Sequence, residues 1–198
     1  GYQDNYPHFL QAEKVIVLSV MTTGLVESIS ALPQDYVKKG QPLLKLDSDL
    51  IEIEIKTLKD QIELSTAMAE AKIKYEYAED NLKIVDELYN KTIGESRAGS
   101  LKELKEATQA KDLAREGVKQ AELEMRNLSN QLAQKVKVLE YYTITAPEDG
   151  VMVPFSSIKH LENSSLKQVR EGEVVQSAQP VMAMLKVDKL RIRFKQAR

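Results

Sequence analysis

Apolar residues along this chain change their spacing twice. From Val15 to Leu46 they fall in short runs rich in β-branched residues and broken by Gly24, Pro33, Gly40 and Pro42, the texture of a small β unit. The same texture returns from Tyr142 to Phe194. Between the two, from Asp49 to Glu140, there is no proline, and a proline-free stretch of roughly ninety residues predicts helix. The interruption Gly94-Glu95-Ser96-Arg97-Ala98-Gly99 divides it into segments of about 45 and 40 residues, each roughly 60 to 68 Å long at the helical rise.

Helices of that length cannot bury themselves against a small β unit, so they must pack on each other, and heptad spacing should mark the seam. In the second segment Leu104, Ala107, Lys111, Ala114, Val118, Ala121, Met125, Leu128 and Leu132 step by three and four, with Lys111 the one polar member. In the first, Ile51, Ile55, Leu58, Ile62, Ser65 and Ala69 follow the rule, then the phase slips before Tyr75, Ala78, Leu82, Val85 and Tyr89 resume it. A slip of this kind alters the supercoil locally. Asp49 with Glu52 and Ser100 with Glu103 each predict an N-cap, and Gly94 a left-handed C-terminal stop. The middle of the chain is therefore read as an antiparallel helical hairpin inserted into one β unit, with Asp47 near Tyr142.

The two β stretches repeat one phrase. Val37-Lys38-Lys39-Gly40-Gln41-Pro42-Leu43-Leu44 is matched by Val175-Gln176-Ser177-Ala178-Gln179-Pro180-Val181-Met182, and upstream Gly24-Leu25-Val26 is matched by Gly150-Val151-Met152. The second half carries about 12 extra residues, assigned to the polar loop from Ser156 to Arg170. Where the first half has Gly40 the second has Ala178, so a positive φ at Gly40 predicts a somewhat different second turn.

Two related halves split by a helical hairpin resemble the membrane fusion proteins of the hemolysin D type, the periplasmic adaptors of bacterial export pumps. The residues that carry the resemblance are "GLVESI" and "VKKGQPLLKLD" between Gly24 and Asp47, and "YTITAPEDGVM" and "VREGEVVQSAQPVMAML" between Tyr142 and Leu185. The resemblance implies an α+β fold: a lipoyl-like β sandwich interrupted by a long antiparallel coiled-coil hairpin, with partial β-barrel strands at the termini. It divides the chain into an N-terminal segment with a barrel strand (residues 1–20), a first lipoyl-like half (21–48), the hairpin (49–140, tip 94–99), a second half (141–187) and the start of a barrel strand (188–198). In that last part Leu190, Ile192 and Phe194 alternate with Arg191, Arg193 and Lys195, the pattern of a half-buried strand.

The resemblance also implies partners: an inner-membrane transporter, an outer-membrane channel, and further copies of the chain surrounding a conduit. Many efflux adaptors carry at the hairpin tip an arginine, a leucine four residues later and a serine seven after that. Counting back from Ser100 places these at Tyr89, Ile93 and Ser100, with a mild change at Ile93 and a departure at Tyr89. These three are the candidate partner-binding residues. The implied location is the periplasm. Gly1-Tyr2 in place of an initiator methionine reads as a trimmed start, so the expected inner-membrane anchor lies outside this chain.

Composition narrows the chemistry. The 28 basic and 30 acidic residues of the 198 nearly cancel, for a net charge of -2, and no run of like charge offers a surface for nucleic acid. Cysteine is absent, which removes disulfides, thiolate metal sites and cysteine nucleophiles. A lipoyl or biotinyl carrier would hold its modified lysine between the halves, where Asp47-Ser48-Asp49 stands instead. Met152, Met182 and Met184 have the softness of copper(I) ligands but lie in apolar strand runs, where methionine is core filler. His8 and His160 have no partner at ligand spacing. Glu148 and Asp149 are paired carboxylates in the "APEDG" turn, and turns favour such residues without catalysis. No nucleophile motif or phosphate loop is present. The expectation is a protein without cofactor, metal or enzymatic activity, the alternative being a coiled-coil scaffold or adhesion module unrelated to transport.

Overall fold

In the computed structural model, residues 14–93, 96–97, 99–161 and 163–187 are described. The chain divides into two compact units, one made of residues up to Glu52 together with those from Val136 onward, the other of Ile53–Lys135.

The first unit is a pair of four-stranded antiparallel sheets. One has the order β1 (Lys14–Ser19), β10 (Pro180–Lys186), β8 (Gly150–Val153), β3 (Tyr36–Val37); the other has β7 (Thr143–Thr145), β4 (Pro42–Leu46), β2 (Gly24–Ile29), β9 (Val174–Val175). Each sheet takes two strands from each half of the chain, so neither half closes a sheet alone. The apolar alternation in β1 sends Leu18 inward and leaves Val15 and Val17 half exposed. Leu43, Leu44, Leu46, Val26, Val175, Val181, Met182 and Met184 meet in one buried cluster drawn from both sheets. Met152 belongs to it as well, which puts all three strand methionines in the packed core.

The unit has internal two-fold pseudo-symmetry, and its hydrogen bonds show it. The amide of Gly40 donates to Ala146 O at 2.7 Å and that of Ala178 to Val20 O at 2.8 Å; Ala146 N returns a bond to Gln41 O at 2.9 Å and Val20 N to Gln179 O at 3.1 Å. The second pair of turns matches too: Gln34 N donates to Met152 O at 2.7 Å and Gly172 N to Val26 O at 2.8 Å. Gly40 has φ 84°, Ala178 69°, Gln34 80° and Gly172 86°. The expectation that Ala178 would change the second turn is therefore wrong: alanine adopts the left-handed conformation there. Within the turn, Gln176 N donates to Gln179 Oε1 at 2.9 Å as Lys38 N does to Gln41 Oε1 at 3.1 Å. Those bonds offset the roughly 1–2 kcal/mol that a Cβ costs in this region.

Gly150 is fixed by space. A Cβ there would lie inside van der Waals contact with the Leu185 carbonyl oxygen and 2.7 Å from Met184 Cε, because β8 runs closely against β10. Its counterpart Gly24 meets only the flexible Leu46 side chain, at 3.2 Å.

Two expectations about the flanks change. β1, read as a barrel strand, is the edge strand of the first sheet and pairs with β10 from Lys14↔Lys186 to Ser19↔Pro180. The start of a barrel strand at residues 188–198 lies outside the described residues. The insertion after β8 is not wholly polar: Phe155 and Ile158 are buried against Ala183, with Val153, Leu161 and Leu166 beside them. This small cluster covers Ala183, while Val181, Met182 and Met184 pack into the main core, so β10 is buried without alternation.

The second unit is a helical hairpin. Its first arm comprises α1 (Asp49–Glu63), which begins in the first unit, and α2 (Ala67–Asn90); α3 (Leu101–Leu139) forms the second arm and runs past Lys135. Glu54 pairs with Lys135 at 2.9 Å, Glu79 with Lys111 at 4.0 Å, and Arg115 lies 5.9 Å from the Tyr75 ring centroid. As one number rises the other falls by nearly the same amount, which fixes an antiparallel register. Every position of the α3 seam read from sequence, Leu104 to Leu132, is buried or half-buried, and the residues between them are exposed.

The first arm is not one helix. It is interrupted at Leu64, Ser65 and Thr66, and its seam runs through Ser65, Met68 and Ala71, whereas Ala69, expected in the seam, is exposed. The cap also moves: Asp49 is the first helical residue, and its amide donates to Asp47 Oδ1 at 3.0 Å, so Asp47 supplies the oxygen.

Candidate functional site

The candidate site is the end of the hairpin where α2 joins α3. α2 ends at Asn90, and Lys91 is already extended, with φ −81° and ψ 125°. Thr92–Ile93 (β5) then pairs with Ser96–Arg97 (β6), Thr92 opposite Arg97 and Ile93 opposite Ser96. The turn is a small β ribbon on top of two helices. Gly94, expected as the helix stop, lies outside the described residues, and Lys91 ends α2 instead.

The three residues singled out from sequence are brought to this end but onto three kinds of backbone. Tyr89 is in the last turn of α2 and half-buried, Ile93 is in β5, and Ser100 precedes α3. Because α2 stops at Asn90, the four-residue step from Tyr89 to Ile93 does not place them on one helix face. Ser100 caps α3: Glu103 N donates to Ser100 Oγ at 3.1 Å and Leu104 N to Ser100 O at 3.2 Å. With Glu103 in the first turn, the negative charge also sits at the favourable end of the helix dipole.

Gly99 was read only as part of the break, and the structure gives it a specific task. A Cβ on it would stand 3.0 Å from Tyr89 N and 3.2 Å from Leu88 C, so glycine lets the two arms approach just below the ribbon. The signal in the sequence was a second glycine directly before a cap serine, where one glycine would have sufficed for a turn.

Below the ribbon the hairpin carries solvated ion pairs such as Lys119 with Glu116 at 3.2 Å. On one side of the seam Ala67, Ala71, Ala110, Ala114 and Gly117 leave a shallow groove beside exposed Leu113. Hydrogen bonding to Glu27 raises Lys45, and hydrogen bonding to Glu140 raises Lys137; both cations are in surface pairs. The carboxylate of Asp149 accepts the amide of Lys39 at 2.8 Å, which is the structural turn role read for the "APEDG" segment.

No family model matches the chain, and no curated protein does. Solved structures do. MacA from Actinobacillus actinomycetemcomitans superposes with a TM-score of 0.73 at 20% identity, over 89% of this chain and 50% of that one. The fold is that of MacA. The soluble domain of LipC, a membrane fusion protein of a type I secretion system, gives a TM-score of 0.51 at 13% identity over 87% of this chain and 99% of that one. The periplasmic adaptor protein EmrA gives 0.50 at 17% identity, over 93% and 78%. This chain thus spans half the length of the MacA structure. In this chain the two halves form the interleaved sheets and the middle forms the hairpin, whose end holds Tyr89, Ile93 and Ser100. Among the described residues no helix is long and apolar enough to cross a membrane.

Proposed function

We propose that this chain is the sandwich and hairpin portion of a periplasmic adaptor that couples an inner-membrane transporter to an outer-membrane channel in an efflux or secretion system. The observation that carries the reading is the joint presence of two interleaved sheets and a hairpin inserted between their halves, in the arrangement of MacA. A scaffold or adhesion module needs only the hairpin. In this reading the chain does no chemistry and binds no cofactor. It works in the periplasm, held to the inner membrane by a segment outside this chain, and several copies surround a conduit.

The mechanism is mechanical. Two helical arms packed along most of their length resist compression along their axis, so they hold a spacing that a flexible linker of equal length would not. The end carrying Tyr89, Ile93 and Ser100 is the surface offered to the channel. To test this, cysteine is placed at Ile93 in the intact protein and crosslinked in living cells. The chain has no cysteine of its own, so within it any adduct reports that position, and the intact protein without the added cysteine is the control. Recovery of an outer-membrane channel supports the proposal; recovery of cytosolic or extracellular helical proteins alone supports the scaffold reading and defeats it.

A further inference from the structure

The first arm of the hairpin carries two seams that are out of phase. Ile51, Ile55, Leu58, Ile62 and Ser65 form one, and Met68, Ala71, Tyr75, Ala78, Leu82, Val85 and Tyr89 the other, all buried or half-buried. From Ile62 to Ala71 the steps are three, three and three, where a heptad alternates three and four. Each step of three falls about 60° short of a full turn, so three in succession would rotate one straight helix off its partner.

The chain meets this by leaving the helix at Leu64, Ser65 and Thr66. Neither glycine nor proline stands there, and the modest helix formers Ser65 and Thr66 yield where the phase conflict falls. Non-helical residues advance farther than 1.5 Å each, which lets the arm span its length with one residue fewer and stay in register with α3.

The break is narrow, since Leu64 N still donates to Asp60 O and Glu70 N to Thr66 O, both at 2.9 Å, but side chains brace it little. Ala67 N reaches Ser65 Oγ at 3.4 Å, Thr66 makes no side-chain cap bond and gives its hydroxyl to Glu70 Oε1 at 3.1 Å, and Leu64 is 76% exposed. The opposite arm is continuous. The register set by Glu54 with Lys135 and Tyr75 with Arg115 puts Met125 across from Ser65, and both are half-buried. Methionine is the apolar side chain that best follows a moving neighbour.

We propose that Leu64–Thr66 is a flexure built into the hairpin by a single residue missing from its heptad phase. At this point the first arm bends while α3 remains one helix. Inserting one alanine between Ser65 and Thr66 makes the steps alternate three and four from Ile62 to Tyr89, so a single uninterrupted helix serves the whole seam.

The absence of cysteine allows clean labelling. Spin labels on Lys59→Cys and Lys72→Cys report across the break, and labels on Lys105→Cys and Lys119→Cys report along α3. The expected distance distribution is about twofold broader across the break than along α3, narrowing to the α3 width in the insertion variant. Equal widths in the parent protein, or a breadth that the insertion leaves unchanged, overturns the proposal. Hydrogen exchange on the unaltered protein gives a second reading that does not depend on the insertion folding. The amides of residues 65–69 should exchange at least about tenfold faster than those of residues 119–123. Equal protection refutes the flexure.

Discussion

The Lys39 amide donates to Asp149 Oδ1 at 2.8 Å, and the Ser177 amide donates to Thr23 Oγ1 at 3.1 Å. The two bonds occupy the same place in the two halves, one served by a carboxylate and the other by a hydroxyl. Each ties a turn of one half to the strand entry of the other, so the halves hold each other through their turns as well as their sheets.

Removing the acceptor should show this directly. Asp149→Ala is expected to lower stability by about 1 kcal/mol, the usual cost of one hydrogen bond, whereas Asp149→Thr should recover most of it, as Thr23 does in the other half. Urea unfolding of the three proteins measures the difference. Equal midpoints for all three would show that the bond contributes nothing.

The left-handed turns give a paired expectation. Ala178→Gly relieves the Cβ penalty at φ 69° and should stabilise by up to about 1 kcal/mol, while Gly40→Ala introduces that penalty and should cost about the same. Thermal melting reads both signs. A loss of stability in Ala178→Gly would mean that the glutamine-braced turn already favours alanine.

Space makes a sharper distinction between Gly24 and Gly150. Gly150→Ala forces a Cβ into the Leu185 carbonyl and is expected to cost about 1–3 kcal/mol or prevent folding. Gly24→Ala displaces only a leucine terminus and should cost less than about 1 kcal/mol. If the two variants melt together, β8 and β10 lie farther apart than described.

At the hairpin end, capping and docking separate by substitution. Ser100→Ala should lose the bond to Glu103 N and about 0.5–2 kcal/mol, while Ser100→Asp keeps a cap and favours the dipole. If this end engages a partner, Ser100→Asp and Ile93→Asp should both abolish export by the full-length protein with no fall in melting temperature. Export that survives both, at normal abundance, removes the end from the docking role.

Because the buried cluster of the sandwich draws only on residues outside Ile53–Lys135, replacing that segment by a short linker should leave a cooperatively melting unit. Circular dichroism would then retain the strand signal and lose the helical one. A broad, non-cooperative melt would mean that the hairpin is needed to hold the halves.

The α3 seam was readable residue by residue because two long helices have only each other to pack against, and burial then follows sequence spacing alone. The repeated phrase gave the interleaved halves for a related reason: Gly40 and Ala178, or Gln41 and Gln179, keep their bonds because the same turn is built twice. The break at Leu64–Thr66 showed in the sequence only as a phase slip. Its position was misplaced because Ala69 satisfies the spacing as well as Met68 does, and only packing selects between them. The ribbon of Thr92–Ile93 with Ser96–Arg97 escaped because it takes two residues per strand, too few for alternation to register. β1 was assigned to a barrel because an edge strand with Val15 and Val17 outward looks alike in either sheet.

The pairing of Lys14 with Lys186 also fixes an order of events during synthesis. β1 leaves the ribosome well ahead of its partner β10, by an interval on the order of 10 to 30 s at ordinary elongation rates. The hairpin, whose contacts form between arms joined by a short turn, is complete well before then. Its early closure replaces a long open loop by a short one and so lowers the entropic cost of bringing β4 to β7. Until β10 arrives, Leu18 and its neighbours in β1 must remain exposed, and this nascent edge is where a chaperone would find the chain.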